Sequence, residues 1–397
     1  MSTAGPPQGA RHRSAQREGT PVNRIRALNR RRWLAAALGG LAGAGHALDL
    51  AQRATPARTP YAGAVVELAP LQPPAPGEAV SLSIIGTTDV PVFLAVLRAY
   101  QQQHPVVAIR YEEFSTQGLF EHMVRPRPAD APGAGVDMLV SSSMDLQARL
   151  VNDGHAQPHQ SAETAAVPAW ARWRNEVFGF SAEPLVMAYD SRRFSAATVP
   201  STRQALLQML RDPARPLAGR VGSYDLAFSG IGYLAATQDV RIDAGAGALL
   251  AALADNQALR AEHASQLLDA VAAGRIAIAY NLPASYVLAR IAAGAPIGMV
   301  LPRDYTLVLA RTAVIPRSAP HAQEAKRFLD YLLSRAGQQV LVQQSRILPI
   351  REDVAPADRP SGALRPIVLG PGLLVYQDRR KRERFLQAWD ARPGSSP

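Results

Sequence analysis

Residues able to grip a small molecule recur in this chain in one setting, a short hydroxyl-rich turn that follows an apolar run. Thr87-Thr88, Ser115-Thr116 and Ser142-Ser143 stand in the first half, and Ser229-Gly230 in the second. Tyr280-Asn281 closes a further apolar run and adds a phenol and an amide. The shared chemistry is neutral hydrogen bonding beside the backbone amides of a helix start, which suits an anion or a polyol. A single Ser or Thr in such a place also reads as an ordinary helix N-cap. It is the recurrence that points to a pocket.

Signatures of catalysis are missing. Ser229 lies in AFSGIG and not in GxSxG, His321 is followed by AQEAK and so completes no HExxH, and no GxxxxGK[ST] or GxGxxG opens a helix after a strand. The eight histidines lack metal-ligand spacing, since His155 and His159 are separated by Pro158 in a loop. With no cysteine there is no disulfide framework, thiolate metal site or cysteine nucleophile. These patterns argue against an enzyme and call for no cofactor or metal.

The elements that must place these turns alternate in type. Strand signals run over Ala79 to Ile85, Val106 to Phe114 and Val136 to Val140, with helices over Pro91 to Gln103 and from the third turn through Leu150. The second half repeats the grammar: strands at Gly179 to Tyr189, Arg220 to Tyr224, Arg275 to Ala279, Ile297 to Leu301 and Leu307 to Ile315, with helices over 201–211, 234–238, 246–255, 261–273 and 284–293. In open α/β sheets a ligand sits beyond the carboxyl ends of the strands, which is where these turns fall.

Ahead of this pattern, Arg30, Arg31 and Arg32 lead into an apolar, glycine-rich stretch ending near Ala47, the layout of an export signal with a twin-arginine character. The stretch is too short to span a bilayer, and Gly45 and Ala47 mark a cleavage point, giving a periplasmic mature chain. If uncleaved, the same segment would tether the protein to the membrane. Residues 1–47 carry eight arginines against Glu18, so they account for +7 of the net +11 and leave the remainder at +4. The basic run Arg379-Arg380-Lys381-Arg382 is interrupted by Glu383 and leads into Phe385, Leu386 and Trp389, reading as a solvated final helix. No nucleic-acid partner is expected. Residues 48–79 are proline-rich and aperiodic and read as a linker.

Five segments together resemble a known family: SLSIIGTTD (81–89), VDMLVSSSMDLQARLVNDG (136–154), GFSAEPLVMAYD (179–190), AAGRIAIAYNLPASYVLAR (272–290) and VIPRSAPHAQEAKRFLDYLLSRAGQQVLV (314–342). They are similar, in order, to the extracytoplasmic solute-binding proteins of ABC importers, in the branch with ferric-iron, hexose-phosphate and phosphoglycerate binders. The resemblance implies an α/β, two-lobed periplasmic-binding-protein fold (type 2), with mixed sheets flanked by helices and two crossover strands near 180–188 and 302–312 as a hinge. Lobe one would be 80–182 and 306–397, and lobe two 183–305.

It further implies a monomer that captures a small anionic or polar solute, phosphorylated or carboxylated compounds favoured, and hands it to an ABC permease. The implied ligand positions are Thr87, Thr88, Ser115, Thr116, Ser142 and Ser143 from lobe one, with Ser229, Gly230, Tyr280 and Asn281 from lobe two. Two alternatives share this architecture: a periplasmic sensor that signals to a membrane histidine kinase, and a ferric-iron binder. The chain departs from the iron-binding members in having no adjacent tyrosine pair, Tyr280 and Tyr286 lying six apart. Which cation would neutralise an anion is not marked by the sequence, although Arg303 and Arg311 qualify by position.

Overall fold

Two runs that read as single long strands each break in the middle and change sheets, and this organises the molecule. The computed structural model describes residues 63–75, 77, 80–125, 135–214, 216–355 and 363–390. The segment expected to be an export signal, with its expected cleavage point after Ala47, lies outside the described residues.

In chain order, β1 (Val65–Leu68), β2 (Val80–Gly86), α1 (Val90–Gln103), β3 (Val107–Glu113), α2 (Thr116–Val124), β4 (Met138–Ser141) and α3 (Met144–Asn152) begin one half. A short helix α4 (Ala162–Ala165) and strands β5 (Arg172–Trp173) and β6 (Val177–Gly179) complete its first pass. The chain then crosses into β7 (Glu183–Asp190), α5 (Arg203–Arg211), β8 (Val221–Tyr224), α6 (Gly230–Ile242), α7 (Ala246–Asp255), β9 (Leu259–Ala261) and α8 (Ala264–Ala272). Next come β10 (Ile278–Pro283), α9 (Ala284–Ala292), β11 (Ile297–Val300) and β12 (Thr306–Leu309). It returns through β13 (Thr312–Val314), α10 (Ala322–Leu333) and α11 (Arg335–Ser345), and ends with β14 (Leu364–Pro366), a 3-10 turn over Pro371–Gln377 and α12 (Arg379–Asp390).

Sheet one has the order β1-β3-β2-β4-β13-β6-β5, with a parallel centre of β3, β2 and β4. Sheet two runs β14-β12-β7-β10-β8-β9, with β11 also paired to β7. The crossings fall between β6 and β7 and between β12 and β13. They are tied together: the Phe180 amide donates to the Arg311 carbonyl at 2.8 Å, and the Arg311 amide to Ser181 Oγ at 2.9 Å. Strand β7 is buried along its whole length, as its apolar run requires for a strand covered on both faces. By contrast β3, VAIRYEE, alternates buried and half-buried positions.

Two stretches differ from the sequence reading. The expected linker holds β1, which pairs antiparallel with β3 from Val65 opposite Glu112 to Leu68 opposite Ile109, because VVEL supplies an apolar edge strand amid the prolines. The C-terminal segment does not belong wholly to the first half. Strand β14 pairs with β12 in sheet two, and Gln377 reaches back to Asp145 of α3 at 2.5 Å. On the far side, Arg260 bonds Asp390 at 2.5 Å and lies 4.6 Å from the centre of the Trp389 ring. The apolar face formed by Phe385 and Trp389 is what draws α12 onto the second half, where Phe385 meets Tyr233 edge-on at 5.5 Å.

Candidate functional site

The strand ends of both sheets face a cleft between the halves. From the first half, Thr87 and Asp89 follow β2, Phe114, Ser115 and Thr116 follow β3, and Ser142 follows β4. The second half contributes Tyr224, Phe228 and Ile231 around the start of α6, Glu262 and His263 after β9, and Tyr286 from the first turn of α9. The crossing strands supply the floor with Leu309 and Arg311. The cleft encloses about 550 Å³ including its mouth.

Of the residues singled out in the sequence, Thr87, Ser115, Thr116 and Ser142 line this cleft. Their neighbours do other tasks. Thr88 is buried and its hydroxyl accepts from Arg311 Nη1 at 2.8 Å. Ser143, at the N-cap position of α3, donates to Asp145 at 2.8 Å. Ser229 caps α6 by accepting from the Gly232 amide at 3.3 Å, and Ser115, besides facing the cleft, caps α2 through Gly118 at 3.1 Å.

Tyr280 and Asn281 must be reassigned. Both side chains are buried in the second half and bond Asp239 Oδ2 at 2.8 Å, and neither is part of the cleft lining. Asn281 has a φ of 62° at a register shift in the pairing of β10 with β7, an irregularity that falls at the end of the apolar run. The same carboxylate accepts from Tyr305 Oη at 2.8 Å and from Arg203 Nε at 3.1 Å. Arg203 also donates to Tyr280 Oη at 2.6 Å and stacks 3.7 Å from the Tyr305 ring centre. Burial and the adjacent Asp239 raise the Tyr280 phenol well above its ordinary value, so it stays a donor.

Of the two arginines eligible by position, Arg311 is the one at the cleft. It is 2% exposed, pairs with Glu183 at 3.4 Å, and stands 5.3 Å from the Tyr286 ring centre. Burial by itself would lower its pKa, but Glu183, Tyr286 and Asp89 around it raise it, so the guanidinium remains charged. Arg303, whose amide bonds the Ser201 carbonyl, is not in the lining.

Contacts across the cleft are direct. The Gly230 amide donates to Thr116 Oγ1 at 2.7 Å, and Tyr286 Oη donates to Asp89 Oδ1 at 2.6 Å. A methyl at Gly230 would fall 2.5 Å from Ser143 Oγ and 2.7 Å from Thr116 Oγ1, both on short side chains with little room to yield. Gly230→Ala is therefore expected to prop the halves apart at a cost of about 1–3 kcal/mol to the closed arrangement. Small-angle scattering should show a larger radius of gyration, and an unchanged radius would mean that the clash relaxes locally.

Sequence reasoning missed Asp89 as a cleft residue and gave no role to Glu262, His263, Phe114 or Phe228. Tyr286 carried one usable signal, since it follows Pro283 at the start of a helix that leaves a strand end.

The model of the family described as bacterial extracellular solute-binding protein matches residues 95–363. Among solved structures, the substrate-binding protein of an ABC transporter from Agrobacterium tumefaciens is 29% identical, with a TM-score of 0.77 over 84% of this chain and 98% of its own. AfuA from Actinobacillus pleuropneumoniae, solved with fructose-6-phosphate, is 17% identical with a TM-score of 0.64 over 78% of this chain and 97% of its own. Iron-bound HitA from Pseudomonas aeruginosa is 21% identical with a TM-score of 0.61 over 78% of this chain and 98% of its own. No curated protein matches the chain.

Proposed function

Because the chain belongs to the bacterial extracellular solute-binding protein family, we propose that it captures a small solute between its two lobes and delivers it to an ABC permease in the inner membrane. The observation that carries this reading is the cleft itself, built from the strand ends of both sheets and floored by the crossing strands that would act as the hinge. Thr87, Ser115, Thr116 and Ser142 offer hydroxyls, and Arg311 supplies positive charge for an anionic group on the solute. Thr88, Ser143, Ser229 and Gly230 serve by holding this wall and its closure. No bond is made or broken.

The protein works as a monomer in the periplasm, exported by its N-terminal segment with a cut after Ala47. Among the described residues no helix is long and apolar enough to cross a membrane.

Thermal unfolding of the full chain against sugar phosphates, phosphoglycerates, carboxylates, phosphonates and ferric citrate tests the proposal. A solute present at about 100 times its Kd should stabilise the native state by about 2.7 kcal/mol, seen as a rise of a few degrees in Tm. Replacing Thr116 and Ser142 together by alanine should remove most of that rise. A rise that persists in full would place the solute elsewhere.

A further inference from the structure

The charges around the cleft do not suit a plain anion. Its lining holds two carboxylates, Asp89 and Glu262, and one guanidinium, Arg311, which is itself bonded to a third carboxylate, Glu183.

Asp89 is the group to examine. It occupies the N-cap position of α1, where an aspartate ordinarily accepts from the helix amides, yet its side chain makes no capping bond. Glu113 accepts from the Val90 amide instead, at 3.2 Å. The Asp89 carboxylate is turned across the cleft to accept from the phenol of Tyr286 at 2.6 Å, and no Lys or Arg forms an ion pair with it among the described residues. A carboxylate diverted from a helix cap into a cleft, and met there by a neutral donor, suits a cation. Tyr224, Phe228 and Tyr286 add aromatic surface, a favourable setting for an ammonium group.

We propose that the captured solute is a zwitterion, with a protonated amine received by Asp89 and Glu262 and an anionic group held at Arg311 and the hydroxyl-lined wall. This rests on the reading of the cleft as a solute site. Two matched pairs of probes test it by isothermal titration calorimetry on the full chain: O-phosphoethanolamine against ethyl phosphate, and 4-aminobutyrate against butyrate. In at least one pair the amine-bearing member should bind about ten- to a hundredfold more tightly, as a charge-assisted contact implies.

Asp89→Asn, which keeps an oxygen to accept from Tyr286, should collapse that ratio towards one, and Glu262→Gln should reduce it. Equal or weaker binding by the amines overturns the proposal. So does binding of an amine-free sugar phosphate with no response to either amine, a result that leaves solute capture standing. If neither these probes nor the wider solute panel binds, the capture reading fails as well and takes this one with it.

Discussion

Arg203→Met is expected to destabilise the fold by about 3–5 kcal/mol, the range for a buried charge stripped of its counter-ion. Arg203 is 2% exposed and pairs with Asp239 at 3.1 Å and with Asp304 at 3.2 Å. Its removal leaves Asp239 buried with only the neutral donors Tyr280, Asn281 and Tyr305. It also loosens the segment that enters β12, because Arg203 Nη1 donates to the Tyr305 carbonyl at 2.5 Å and to Asp304 Oδ1 at 3.2 Å, and only the backbone amide bond to Asp304 remains. Methionine fills comparable volume, so packing loss stays small and the electrostatic effect dominates. Urea unfolding should show the midpoint falling with little change in slope. A loss under about 1 kcal/mol would mean that the three neutral donors suffice for Asp239.

Arg311→Met should cost a similar amount and also abolish solute binding. Glu183, at 0% exposure, would lose its cation, and Thr88 would lose the donor that orients it. The double variant Arg311→Met with Glu183→Gln separates the two effects. Removing both charges should recover much of the stability, since a buried pair contributes little net once its desolvation is counted. The neutral amide can still accept from the Ser285 backbone, as Glu183 does at 3.4 Å. Binding should stay lost, because the cleft would keep Asp89 and Glu262 without any guanidinium. Full recovery of binding in the double variant would show that Arg311 is structural only.

These two arginines show where sequence reading works and where it stops. Arg203 sits in the first turn of a helix with nothing in its neighbours to mark it, and Arg311, in a largely apolar run, qualified by position alone, with no local feature to choose it over Arg303. The hydroxyl turns, by contrast, were legible because strand-to-helix junctions have local signals: an apolar run, a small polar residue, then helical spacing. Four of the residues named from those turns do line the cleft. Local signals cannot say which of two adjacent hydroxyls faces a ligand and which a helix amide. Thr87 lines the cleft while Thr88 holds Arg311, and Ser142 lines it while Ser143 serves Asp145.

Strand order was legible only as alternation. The runs at 179–189 and 307–315 read as single strands because apolar residues dominate both, and the polar residues at each change of sheet, Ser181 and Glu183 in one and Arg311 and Thr312 in the other, are too few to mark a break. What the sequence by itself determined was therefore the α/β grammar, the helix starts, the hydroxyl-bearing turns and the likeness to a family of solute binders. The tertiary structure decided which side chains meet. Asp89 finds Tyr286 across 197 residues of chain, Arg311 finds Thr88 across 223, and the Tyr280-Asn281 pair is claimed by Asp239 in the core. Propensity and capping act over a few residues and can be read from spacing, whereas the partner of a buried charge is set by how separate layers pack.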